Sequence, residues 1–248
     1  MKDEETITYN KTIREAASVI VLRDGEAGPE VFMLQRPGRG DFPDLHVFPG
    51  GKVDADDVEL GAQLAAPQSP NHPTQKFKAA ALRECFEECG VLFADNHDGQ
   101  LNARDLQRFR ADILSNRIAF KDGFERFQLV FQDDAVLYFS HWITPPYAPA
   151  RFDTRFFVAH VPAEQRAENH ASETIAGSWQ TPELALRNYA RGDWQLIVPT
   201  ITTLRMISGY DDVATLMHAV KHGRHRIPVT PSLHEKGMQY FVGTWCSF

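Results

Sequence analysis

The first clear pattern along the chain is a β-branched, apolar run at 16–22 (Ala-Ala-Ser-Val-Ile-Val-Leu), then Asp24-Gly25, then Glu-Val-Phe-Met-Leu-Gln at 30–35. Short apolar runs bounded by turn residues read as strands, and the Asp-Gly step between these two predicts a hairpin. A loop rich in Gly, Pro and Arg fills 36–45, a short strand is expected at 46–48, and Pro49-Gly50-Gly51 reads as its stop. Residues 54–75 hold Pro67, Pro70 and Pro73 with Gln68, Ser69 and Asn71 and show no sustained period, which predicts an exposed loop.

The period becomes helical over 77–89, and Gly90 stands where a C-terminal cap belongs. A further helix is expected over 101–120, with Leu106, Phe109, Ile113 and Leu114 at helical spacing. Strands follow at 135–143 and 155–161. The last third predicts helices at 182–191, 199–208 and 213–221, opened by Thr, Pro or Asp and closed by Gly192, Gly209 and Gly223. An opening hairpin with strands that frame helices predicts an α/β or α+β sandwich with a mixed sheet. No internal repeat breaks it up, so one domain over 10–248 is expected.

Composition narrows the function without naming it. Apolar residues at 43% and charged residues at 24% are ordinary for a globular protein. A net charge of -7 argues against a general nucleic-acid or membrane-surface binder. Residues 1–10 are polar and acidic, unlike a secretory signal, and no apolar run reaches the roughly 18 residues of a membrane helix. The cysteines, Cys85, Cys89 and Cys246, are too few for a disulfide framework, so a cytoplasmic location is expected.

The candidate chemistry lies on one helix, Leu82-Arg83-Glu84-Cys85-Phe86-Glu87-Glu88-Cys89-Gly90. Leu82, Cys85, Phe86 and Cys89 form an apolar stripe, which makes both cysteines core residues. Glu84, Glu87 and Glu88 point the other way as a carboxylate cluster. A lone acidic run is ordinarily a solvated face. Like charges one turn apart repel, however, and a hard cation such as Mg²⁺, which prefers oxygen ligands, would explain their company.

Upstream stand Phe48-Pro49-Gly50-Gly51. With them the chain resembles the Nudix hydrolases, whose box reads G-x5-E-x7-R-E-U-x-E-E-x-G-U, where U is a bulky aliphatic residue. Arg83, Glu84, Glu87, Glu88, Gly90 and Val91 match its second half, with Cys85 at a U position. Gly51 and Asp57 match the first half, Asp57 replacing the expected Glu, and about 18 extra residues (58–75) separate the halves. Asp54, Asp56 and Glu59 remain open as stand-ins for that acid.

The resemblance implies a Nudix-type α/β/α sandwich with a mixed sheet, carrying a helical insert near 101–120 and C-terminal helices over 182–223. It implies that Glu84, Glu87, Glu88 and the Gly50 carbonyl ligate Mg²⁺ or Mn²⁺. Arg83 would hold the carboxylates, with Gly51, Asp57 and Gly90 in structural roles. Glu84 or Glu173 would take the proton of the attacking water.

The insertion within the box resembles the branch that includes the peroxisomal coenzyme A diphosphatases, although Gln35 and Asp44 depart from its upstream signature and the chain ends Cys246-Ser247-Phe248. That implies CoA or acyl-CoA as substrate, with Arg36, Arg39, Arg151 and Arg155 near its phosphates. ADP-ribose, a dinucleotide, or a retired ligand-sensing role are the alternatives. The expected partner is a small nucleotide-like molecule, with no nucleic acid and no membrane, and a homodimer is left open.

Overall fold

The computed structural model describes residues 12–38, 43–64, 72–96, 101–144, 148, 150–169, 174–225 and 241–243. The elements run β1 (Arg14–Gly25), β2 (Gly28–Gln35), β3 (His46–Val47), β4 (Gly50–Lys52), α1 (Ala55–Leu64), α2 (His72–Cys89), β5 (Ala94–Asn96), α3 (Ala103–Leu114), α4 (Phe120–Arg126), β6 (Leu129–Phe131), β7 (Val136–Ile143), β8 (Phe152–His160), β9 (Ala176–Gln180), α5 (Pro182–Arg191), α6 (Val198–Ile207), α7 (Val213–Lys221) and β10 (Phe241–Gly243).

Strand β1 is the axis of a mixed sheet. It lies parallel to β8 along one edge. Its other edge is shared: Ala16–Ser18 pair with β4 and Leu22–Gly25 with β2, both antiparallel. Strand β2 likewise passes from β1 to β3, while β9 lines its far edge. The hairpin therefore opens like a fork, and residues 46–52 fill the gap. Gly50 and Gly51 fit there because a side chain on Gly50 would run into the Ala17 carbonyl and the backbone of Ser18.

Both faces of the sheet are covered, as an α/β/α sandwich requires, so β1 is buried without a break from Ala16 to Leu22. Alternation sends Ala17, Val19 and Val21 toward α2, with Phe32, Leu34, Phe86 and Phe157. Ile20 and Leu22 turn the other way, with Met33 and Val158, to pack on Leu204, Ile207 and Leu216 of α6 and α7. None of the described helices is long and apolar enough to cross a membrane.

Several boundaries differ from the sequence expectation. Of the exposed loop expected over 54–75, residues 55–64 are instead helix α1 and 72–75 open α2, while 65–71 lie outside the described residues. Leu60, only 2% exposed, anchors α1 in the core. The prolines that hid this helix cluster at 67–73, after α1, so they break the pattern without breaking the helix; Pro67 and Pro70 lie outside the described residues. Gly50-Gly51, read as a stop, forms strand β4 by pairing with β1. The single helix expected over 101–120 is two, because the chain turns between Leu114 and Phe120, with Asn116 at φ 52°.

Helices α3 and α4 pack through a cluster of phenylalanines. Phe109 stacks on Phe120 with centroids 6.1 Å apart, and Phe86 of α2 lies 5.0 Å from Phe109. A methyl group on Gly123 would overlap the fully buried Phe109 ring. Alanine ordinarily favours a helix by up to about 1 kcal/mol over glycine. Overpacking a rigid core costs about 1–3 kcal/mol and is expected to win, so Gly123→Ala should lower Tm by several degrees in a thermal melt.

Candidate active site

Helix α2 packs across the face of the sheet beside the fork. Its apolar stripe is buried as its period requires: Leu82 is 1% exposed, and Cys85, Phe86 and Cys89 are 0%. Glu84, Glu87 and Glu88 then fall on the side toward β4 and α1. Glu88 is buried and accepts a 2.7 Å hydrogen bond from the Gly50 amide. Glu84 stands where a side chain on Gly51 would have to go. Two carboxylates thus flank the Gly50-Gly51 pair.

Arg83 organises the other side. Its Nε and Nη2 donate to the two oxygens of Asp57, each at 2.9 Å, and Nη2 also reaches the Lys52 carbonyl at 2.9 Å. Nη1 donates to Glu84 at 3.0 Å and to Glu87 at 3.1 Å. Burial acts to lower the Arg83 pKa. The hydrogen bond to Asp57 and the charges of Glu84, Asp57 and Glu87 outweigh it and hold the pKa above its ordinary value. Asp57, 1% exposed, also accepts from the Asp54 amide at 2.8 Å. Of the acids left open, Asp57 makes the bidentate pair with Arg83, while Asp54 reaches it only at 3.6 Å. Asp56 and Glu59 pair with Lys121 instead.

Burial, and then the charge of Glu84, push the Glu88 carboxyl well above the usual carboxylate range, against the Gly50 amide and Arg36, which pull it down. Arg36 therefore lies within electrostatic reach of the cluster, and its Nε is buried with no hydrogen-bond partner among the described residues. A cleft of about 330 Å³ opens on Arg83 and Glu87 between α1 and the turn into α4.

Among the described residues, no three His, Cys, Asp or Glu side chains already converge as a metal-holding group. Arg83 draws Glu84 and Glu87 together, while Glu88 faces Gly50. The donor chemistry nonetheless fits a hard divalent cation. The side chains offer only oxygen, and Glu84 and Glu88 repel each other beside the same glycine pair.

Arg151 and Arg155 are not brought to this cluster. Arg155 pairs with Asp153 and lies over the Phe77 ring, 4.6 Å from its centroid and two turns of α2 before Glu84. Its strand neighbour is Ala17, across which lies Gly51, so two strand spacings, roughly 10 Å, separate Arg155 from the glycine pair. Arg151 donates to the Thr144 carbonyl at 3.2 Å. Glu173 and Arg39 lie outside the described residues.

Sequence reasoning missed Arg110. Its Nε and Nη2 donate to the Glu87 carbonyl at 3.1 and 2.9 Å. A signal was present: Arg110 stands at i+4 from Leu106 and i−3 from Ile113, a charged residue within an otherwise apolar stripe.

The chain belongs to the Nudix hydrolase family, since the family model of the NUDT19 Nudix domain matches residues 65–207. A Caenorhabditis elegans protein named nudix hydrolase 7 is 30% identical over 220 residues, covering 88% of this chain and 67% of its own length. The acyl-coenzyme A diphosphatases NUDT19 of Xenopus laevis and Gallus gallus are each 25% identical, over 64% and 82% of this chain. The chain spans 54% of the Xenopus protein and 70% of the Gallus one. The crystal structure of a NUDIX hydrolase from Alicyclobacillus acidocaldarius matches with a TM-score of 0.73 at 26% identity, covering 84% of this chain and 97% of that one. The protein is thus a Nudix hydrolase, and its α/β fold is the one that family uses. The family-model match begins after Gly50, Gly51 and Asp57, and the fold sets these residues beside Arg83, Glu84 and Glu88.

Proposed function

We propose that the chain is a Mg²⁺- or Mn²⁺-dependent diphosphatase that cleaves coenzyme A or acyl-CoA to 3′,5′-ADP and a 4′-phosphopantetheine product. The observation that carries the reading is the pair of carboxylates, Glu84 and Glu88, set on the Gly50-Gly51 fork with Arg36 close by. Glu84, Glu88, Glu87 and the Gly50 carbonyl would hold the cation. When bound, such a cation neutralises a diphosphate and lowers the pKa of water.

The chain's own groups then divide the work. Arg83 keeps Glu84 and Glu87 in place and is itself fixed by Asp57 and the Lys52 carbonyl. Glu84 takes a proton from the water that attacks phosphorus, as the bridging P–O bond breaks. The buried Nε of Arg36 has no acceptor among the described residues, and a phosphate oxygen would supply one. Two relatives bear the name acyl-coenzyme A diphosphatase, which supports CoA over other diphosphates.

The test compares CoA, dephospho-CoA, ADP-ribose and diadenosine polyphosphates at equal Mg²⁺. Losing a charge-assisted hydrogen bond costs about 1.5–3 kcal/mol, so Arg36→Ala should raise KM for CoA about tenfold or more, and for dephospho-CoA far less. If ADP-ribose or a dinucleotide shows a kcat/KM at least about tenfold above that of CoA, the CoA assignment fails while the Nudix chemistry stands.

A further inference from the structure

We infer that Arg110 of α3 is a positioning residue for the hydrolysis: it grips the peptide that joins Glu87 to Glu88 and so sets both side chains. An α-helix ends with carbonyls that have no donor within the helix. In α2 the Phe86 carbonyl takes the Gly90 amide at 2.9 Å, and the Cys89 carbonyl takes the Glu168 amide at 2.9 Å. The Glu87 carbonyl receives two arms of the Arg110 guanidinium, Nε at 3.1 Å and Nη2 at 2.9 Å.

That carbonyl belongs to the planar unit containing the Cα atoms of both Glu87 and Glu88. Holding it with a rigid planar fork fixes the rotation of the last turn, and with it the directions in which the two carboxylates leave the helix. Glu87 then meets Arg83, and Glu88 meets the Gly50 amide. The same Nη2 donates to the Glu168 carbonyl at 3.1 Å, so one side chain ties α3, the end of α2 and the 165–169 segment together. Gly90 makes room for it: with φ 74°, a side chain there would sit 2.7 Å from Arg110 Nη1. The box glycine thus serves the clamp as well as the turn. Arg110 is held in turn by its neighbours Phe109 and Ile113, both buried in the core.

The inference rests on the metal-assisted reading above, and its test separates the two. R110A and R110K are compared with F124L, which loosens the same aromatic packing from α4 without reaching the end of α2. Measured well below Tm, R110A is expected to lose about tenfold or more in kcat on CoA with KM within about twofold, as misplaced catalytic groups do. R110K, which keeps a charged donor, should recover part of the loss. On the substrate-free protein, Mn²⁺ binding should weaken in R110A, and amide hydrogen exchange at 88–91 should speed up. F124L, even with an equal loss of Tm, should change neither. Equal kcat losses in R110A and F124L, or unchanged kcat and exchange in R110A, would overturn the inference. If R110A does not fold, R110K against F124L decides it on the same readouts. Wild-type protein that binds no Mn²⁺ would sink the metal reading, leaving kcat and exchange to judge Arg110. If wild type does not cleave CoA, the CoA reading falls and the same ratios are read on ADP-ribose.

Discussion

Glu88→Gln is expected to cut kcat by at least about 100-fold, near 2.7 kcal/mol of transition-state stabilisation. Glu88 accepts from the Gly50 amide, and glutamine keeps an oxygen that can do the same. Helix propensities of the two residues are alike, so α2 should persist. The substitution also removes a buried charge that Glu84 repels, so the metal-free protein should melt no lower than wild type. Glu87→Gln should act in the same direction on kcat. Its carboxylate is 17% exposed and shared with Arg83, so the burial relief will be smaller. The measurement is kcat at saturating Mg²⁺ alongside a thermal melt. Turnover close to wild type in both variants would remove these residues from the chemistry.

Much of this is legible in the sequence, for a physical reason. The α2 stripe and the β1 and β2 runs are long and strongly periodic, and their period matches the faces they bury. The carboxylates of α2 were legible because they share one helix, where spacing fixes geometry. Helices α5 and α7 announced both ends: Thr181 accepts from the Leu184 amide and Asp212 from the Thr215 amide, while Gly192 and Gly223 take positive φ at the far ends.

What stayed hidden depends on contacts distant in sequence. Strand β4 is a strand only because β1 leaves an edge open beside it, which no property of Gly50-Gly51-Lys52 announces. Among the described side chains of α1, Leu60 is the deeply buried aliphatic one and Val58 is exposed, so its period is faint. The end of α2 is completed by Arg110, which donates to the Glu87 carbonyl from 23 residues further on, and by the amide of Glu168, which donates to the Cys89 carbonyl from 79 residues further on. Arg155 is a related case: its strand is legible, but its contacts with Asp153 and the Phe77 ring depend on residues the local pattern does not pair with it.

Asp57→Ala is expected to destabilise the protein by about 3–5 kcal/mol, the usual result of removing one partner from a buried ion pair. Asp57 is almost wholly buried and accepts both arms of the Arg83 fork as well as the Asp54 amide. Without it, Arg83 keeps Glu84, Glu87 and the Lys52 carbonyl but loses its bidentate partner. For a chain of this size, 1 kcal/mol moves Tm by about 2–4 °C, so a fall of roughly 6–20 °C is expected. Asp57→Asn should lose less, because an amide oxygen can still accept from the Asp54 amide. Asp57→Glu, which restores the acid the family box carries at this place, adds a methylene to a full site and should cost about 1–3 kcal/mol. Activity separates a structural anchor from a ligand. If Asp57 works only by fixing Arg83, Asp57→Glu should keep most of its kcat at temperatures where it is folded. A large loss of kcat in Asp57→Glu with an unchanged melt would place Asp57 in the chemistry instead. A fall of less than about 2 °C in Asp57→Ala would show that the pair does not hold α1 against α2.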